Sequence, residues 1–184
     1  HRSGLARGDL LWTGGYGYDS NELLRRVRYL KPSWPVRTHY GYSNLMYVAA
    51  GQSGAAAAGK PWDQLIRERI LVPLGMTETN TSVTLLPALA NVASPHAIVD
   101  GQVKTVSYTN MDAAAPAGAI NSNVSDMVKW VRFELERGRV DGKRLVSKRS
   151  VIETHHAQTV RRLASAYPTS PRFTPGRSCG VGWR

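Results

Sequence analysis

Tyr42 and Asn44 stand two positions apart in Gly41-Tyr42-Ser43-Asn44-Leu45, just ahead of an apolar, alanine-rich stretch that reads as a helix. In an extended or looped backbone, residues i and i+2 point the same way. The spacing therefore predicts that the phenol and the carboxamide reach one pocket, with Ser43 turned away or capping the helix that follows. A phenol can move a proton, and a carboxamide both donates and accepts hydrogen bonds. The pair suits acyl transfer, but that chemistry also needs a nucleophile. Two bland readings stand beside this one. Tyr42 is then a packed aromatic, and Asn44 a helix cap, a role compatible with catalysis.

Other chemistry-bearing residues are weaker candidates. Ser43 lacks the closing glycine of the Gly-x-Ser-x-Gly elbow. Ser125-Asp126 is followed by Met127, so a Ser-Asp-Asn pattern fails, and Asp126 reads as a first-turn helix acid. His39 either tunes Tyr42 or is a partly exposed loop residue. His155-His156 lacks spaced partners for a metal. Cys179 is the only cysteine, which excludes an internal disulfide and a cysteine-based zinc site, and it reads as a small core or strand residue. Asn80-Thr81-Ser82 and Asn123-Val124-Ser125 match the glycosylation pattern, which matters only in a eukaryotic secretory setting.

The elements that must position the pair can be read in order. Asp19 and Glu22 have capping-box spacing ahead of Leu23, Leu24, Val27 and Leu30 at helical intervals, with Lys31-Pro32 as the stop. Pro32 to Val36 is an extended link to the tyrosine. The small-residue helix after Asn44 stops near Gly59. Pro61 opens a second helix with Trp62, Leu65, Ile66 and Ile70 on one face, closed by Pro73-Leu74-Gly75-Met76. Thr77 to Leu89 reads as a polar loop, and Val92 to Tyr108 as a hairpin about Asp100-Gly101. Pro116 to Ala119 is a backbone-dominated turn. Asn123 and Asp126 start an amphipathic helix through Met127, Trp130, Val131 and Leu135. Asp141-Gly142 is a tight turn, and Ser147 begins a short helix holding Val151 and Ile152. Residues 157–175 read as loop, and the apolar run before Arg184 as the start of a strand.

The 184 residues suit one domain or a large piece of one, and an apolar fraction of 42% suffices for a core. No apolar run approaches the roughly 18 residues of a membrane span. The ends, His1-Arg2-Ser3-Gly4 and Gly180-Val181-Gly182-Trp183-Arg184, read as cuts, so an internal fragment of a larger domain is expected. The net charge of +11 is uneven: Arg137 to Arg184 holds eleven Lys/Arg against Asp141 and Glu153. A basic third admits nucleic acid or an acidic surface as partner. These arginines are scattered without interleaved aromatics, which favours a solvated face over nucleic acid.

Five segments together resemble the β-lactamase-related serine hydrolases, the group of class C β-lactamases, DD-peptidases and related esterases. They are His1-Arg2-Ser3-Gly4-Leu5, Tyr42-Ser43-Asn44, Pro73-Leu74-Gly75-Met76, Pro116-Ala117-Gly118 with Ser122, Asp126 and Trp130, and Gly180-Val181-Gly182-Trp183. Each is weak alone; their order across the chain is the signal. The resemblance implies an α+β, β-lactamase/DD-peptidase-like fold with a helical domain and an α/β sheet domain. This chain would cover mainly the helical middle, residues 1–184 being a partial domain truncated at both ends. It implies hydrolysis of an ester, amide or β-lactam through an acyl-serine, without cofactor or metal, on a small-molecule or peptide-like substrate in the periplasm or outside a bacterial cell. Tyr42 would share a proton with the family's lysine and pass it to the leaving group, and Asn44 would orient that lysine or the substrate. The family's nucleophile lies in Ser-x-x-Lys, which occurs nowhere in the chain, and Lys104-Thr105-Val106 fails its Lys-Thr-Gly strand. Both pieces are expected outside residues 1–184, leaving this chain alone inactive. The alternative is a non-catalytic relative that binds acidic polymers or nucleic acid through the basic C-terminal third.

Overall fold

The computed structural model describes residues 1–5, 8–13, 15–160 and 178–179. The chain divides into two compact units. The first comprises Gly8–Leu30 and Asn44–Met127; the second comprises His1–Arg7, Lys31–Ser43 and Val128–Arg184.

The first unit opens with a single turn, α1 (Leu10–Thr13), and α2 (Ser20–Val27). Asp19 caps α2, its Oδ1 accepting the Glu22 N–H at 2.8 Å. The reciprocal half of a capping box is not made. Glu22 turns its carboxylate to Arg25 (2.7 and 2.8 Å) and Arg26 (2.6 Å) instead. Leu23 is fully buried.

The small-residue helix is α3 (Leu45–Ala58), with Leu45, Val48 and Ala55 buried. Burying each large aliphatic side chain stabilises the unit by about 1.5–3 kcal/mol. Gly59, left-handed at φ 63°, ends α3, with Lys60 N–H on the Ala55 carbonyl. Small residues let neighbours approach closely. A Cβ on Gly51 would stand 2.3 Å from Pro116 Cγ and 3.1 Å from Trp62 Cδ1.

After Pro61, α4 (Trp62–Ile66) continues as a π turn over Arg67–Leu71. Gly75 (φ 66°) closes it with the paired bonds of a Schellman cap: Met76 N–H to Leu71 and Gly75 N–H to Val72. The Thr77–Leu89 stretch is not a plain loop. Asn80 bridges to Asn121, and Ser82 caps a 3-10 turn over Val83–Ala88 by accepting the Thr84 N–H. The expected hairpin is present as β1 (His96–Val99) and β2 (Gln102–Thr105), antiparallel, with both turn residues at positive φ (Asp100 55°, Gly101 74°). Residues 115–118 form a short helix, α5 (Ala115–Gly118), rather than a bare turn.

The division between the units falls within α6 (Val124–Leu135). At its start Asn123 Oδ1 accepts the Asp126 N–H at 2.9 Å. Asp126 is more than a first-turn acid. It is buried, and its Oδ2 accepts the Glu78 N–H (2.9 Å) and the Thr79 hydroxyl (2.8 Å).

In the second unit, Phe133 and Val151 are buried. Two residues past the end of α6 stands Arg137, a non-glycine residue at φ 53°. β3 (Arg139–Val140) and β4 (Lys143–Arg144) pair about Asp141-Gly142. Ser147 caps α7 (Lys148–His155) through the Ser150 N–H at 3.0 Å. β5 (Thr159–Val160) pairs antiparallel with β6 (Ser178–Cys179). Most of the 157–175 reading and the Gly180-Val181-Gly182-Trp183 segment lie outside the described residues. Helices with small two-stranded sheets make this an α+β chain. Among the described residues no helix is long and apolar enough to cross a membrane.

Candidate active site

The chain passes from the second unit to the first between Ser43 and Asn44. Tyr42 and Asn44 are therefore held by different surroundings, each built within its own unit.

Tyr42 belongs to a segment zipped along the first residues of the chain. Ser33 N–H donates to the Gly4 carbonyl (2.8 Å), Arg37 N–H to that of Arg2 (2.7 Å), and Gly41 N–H to that of His1 (2.9 Å). Two glycines make this possible. A Cβ on Gly4, at φ 83°, would meet the Trp34 carbonyl oxygen at 2.1 Å, and one on Gly41 would meet the Trp34 ring at 2.8 Å. The His1 ring then packs on Tyr42 (centroids 4.6 Å, tilted 31°) and edge-on to Tyr40 (5.4 Å). His1 Nδ1 accepts the Ser43 N–H at 3.2 Å, which fixes the tautomer with its proton on Nε2 for a neutral ring. Tyr42 remains 45% exposed, so its hydroxyl belongs to no sealed core.

His39, the residue expected to tune Tyr42 or to sit exposed, is exposed; it stacks on Trp34 at 5.5 Å and bonds to Thr38 Oγ1. His1 takes the place beside Tyr42. Its one sequence signal is membership of the His-x-Ser-Gly-Leu stretch.

Asn44 belongs to the first unit. It occupies the N-cap position of α3, but its backbone is already helical (φ −69°, ψ −38°) and its side chain makes no capping bond. The cap reading is thereby corrected, and the rule for extended backbones does not reach this residue. The carboxamide is engaged elsewhere: Nδ2 donates to Asp9 Oδ1 at 2.9 Å. Asp9 sits at the start of the α1 turn, its carbonyl accepting the Trp12 and Thr13 N–H groups. Gly8 brings that turn in; a Cβ there would meet Leu45 Cδ1 at 2.6 Å. With Nδ2 held by a carboxylate, the amide orientation is set, and Oδ1 is the group directed to other partners. Nothing in the sequence marked Asp9.

Ser43 is fully buried and its Oγ has no hydrogen-bond partner, so it neither caps α3 nor faces a cleft as a nucleophile. His155 and His156 bond to Glu134 (2.9 Å) and Glu153 (3.2 Å), and no group of three His, Cys, Asp or Glu suited to a metal occurs among the described residues.

The whole chain, residues 1–184, matches the family model described as Beta-lactamase, and the protein belongs to that family. It is similar to "Unguisins hydrolase ungD'" of Aspergillus campestris, 32% identical over 143 residues, covering 74% of this chain and 27% of that protein. It is also similar to "D-alanyl-D-alanine-carboxypeptidase/endopeptidase AmpH" of Escherichia coli K12, 25% identical over 147 residues, covering 77% of this chain and 34% of the relative. The chain thus spans about a third or less of these curated relatives. Among solved structures, the octameric penicillin-binding protein homologue from Pyrococcus abyssi matches with a TM-score of 0.72 at 18% identity, covering 89% of this chain and 38% of that one. The β-lactamase/penicillin-binding-protein fold and a hydrolase family are therefore established.

Proposed function

We propose that this chain forms part of a serine hydrolase that works through an acyl-serine. The nucleophile is a serine outside residues 1–184. Its hydroxyl oxygen attacks the substrate carbonyl, the bond to the leaving nitrogen or oxygen breaks, and water then releases the acyl group. Tyr42 relays the proton that leaves the serine towards the leaving group. Asn44, its Nδ2 bonded to Asp9, presents Oδ1 to the lysine ammonium or to an N–H of the acyl portion. The observation that carries the reading is the family match over the whole chain, with an accessible Tyr42 and an Asn44 of fixed orientation in its Tyr-x-Asn segment.

The substrate class is a peptide-like amide, an ester or a lactam, reached in the periplasm or outside the cell. The D-alanyl-D-alanine specificity in one relative's name agrees with the peptide-like option. The test is to expose the full-length protein to a penicillin and to an activated ester and weigh it intact. A mass gain equal to the acyl group, on a serine outside residues 1–184, is expected. Absence of any adduct with both reagents, in protein shown to be folded, removes the reading.

A second reading, binding of acidic polymers, is favoured by one observation. Arg137, Arg139, Lys143, Arg144, Lys148 and Arg149 are all exposed, and none is ion-paired to a carboxylate among the described residues. Binding of this kind falls steeply with salt, and a flat response across a salt series would discard it.

A further inference from the structure

Tyr42 stands in Lys31–Ser43, a segment without helix or strand, and its side chain is half-exposed. Neither a regular hydrogen-bond ladder nor burial fixes its phenol. A group that relays a proton must still be held in place, because a misplacement of about 1 Å can cost about 10²-fold in rate.

His1 brackets this residue from both sides. Its carbonyl accepts the Gly41 N–H at 2.9 Å, and its ring Nδ1 accepts the Ser43 N–H at 3.2 Å. The ring itself lies against Tyr42 at 4.6 Å, with Tyr40 edge-on to it at 5.4 Å. Ser43 is fully buried, so its N–H has no water to turn to and depends on the imidazole. The ring that stacks on the phenol thus also anchors the backbone that follows it.

We infer that His1 is a positioning residue for the reaction. It holds the Tyr42 hydroxyl in register for proton relay, by ring contact and by the Ser43 N–H. This rests on the relay assigned to Tyr42 above. Three substitutions take the two contacts apart. His1→Phe keeps a ring and loses the acceptor. His1→Asn keeps an acceptor, its amide oxygen, and loses the ring. His1→Ala loses both. The bond from Gly41 goes to the main chain and survives all three.

The experiment is a double-mutant cycle on the rate of acylation of the full-length protein by a penicillin or an activated ester. His1→Ala should slow acylation by about 10–10²-fold, and His1→Asn and His1→Phe by less. In a Tyr42→Phe background, which has no hydroxyl to position, the same His1 substitutions should have no further effect. A merely structural role would slow both backgrounds by the same factor, and that result overturns the inference. So does wild-type acylation in His1→Ala when Tyr42→Phe is slow, which leaves the relay itself standing. A wild type that takes no acyl group, or a Tyr42→Phe as fast as wild type, removes the relay and this inference with it. If His1→Ala does not fold, His1→Asn and His1→Phe carry the cycle.

Discussion

The ring of His1 lies 4.6 Å from that of Tyr42, and its Nδ1 holds the next residue by the Ser43 N–H. One imidazole thus fixes both the ring and the following backbone of the residue proposed to carry the proton. Tyr42→Phe keeps the ring contact and deletes only the hydroxyl. Turnover in the full-length protein should fall by about 10²–10⁴, the usual worth of positioned acid-base help. Because Tyr42 is 45% exposed, thermal unfolding should hardly move. Unchanged turnover would contradict the relay.

Asn44 and Asp9 should be energetically coupled. Asn44→Ala removes the donor to Asp9 Oδ1 and should cost about 1–3 kcal/mol in denaturant unfolding, as for hydrogen bonds to charged groups. Asn44→Asp should cost more, because it sets a second carboxylate against the first. Adding Asp9→Asn to that variant should restore part of the loss. Strict additivity in the double-mutant cycle would show that the bond contributes nothing.

Two glycines of α3 should respond oppositely to alanine. Gly51→Ala drives a methyl into Pro116 and should destabilise by about 1–3 kcal/mol. At Gly54 the nearest atom to a new methyl is Leu65 Cδ2, at 4.0 Å. Gly54→Ala should therefore stabilise by about 0.5–1 kcal/mol, the ordinary gain in helix propensity. Urea midpoints of the two variants, shifted in the same direction, would refute this packing.

Glu22 gives a pH signature. Hydrogen bonds from Arg25, then Arg26, hold its carboxyl down to about 2 from its ordinary 4.5. A depressed carboxyl stabilises the fold fully above the unfolded value and loses that contribution as pH falls through the folded one. The stability difference between wild type and Glu22→Gln should thus be constant above about pH 5 and shrink between about 4.5 and 2. The pair is at the surface, so the difference should be small and fall with salt. A gap that widens on acidification would reverse the assignment.

Features set by neighbouring residues were legible in the sequence. The caps at Asp19 and Ser147 and the turns at Asp100-Gly101 and Asp141-Gly142 act within four residues, and each appears where its chemistry predicts. The family resemblance, carried by short segments in order, is upheld by the match across the chain. What was not legible depends on residues distant in the sequence. His1 reaches Tyr42 and Asp9 reaches Asn44 across 41 and 35 positions, and no local pattern marks either pair. Asp126 looked like a dipole-stabilising acid because the Glu78 N–H and Thr79 hydroxyl that it accepts come from 48 and 47 residues upstream. Asn44 looked like a cap because asparagine before a helix usually is one; here its backbone is already helical and its Nδ2 is turned to the Asp9 carboxylate.

The tight seat of Pro116 on Gly51 bears on the history of the chain as well as on its stability. Position 51 has room for a hydrogen atom and little else, so its codon should have stayed frozen while the lineage diverged. Position 54, three residues further along the same helix and with room for a methyl beside Leu65, should have wandered freely.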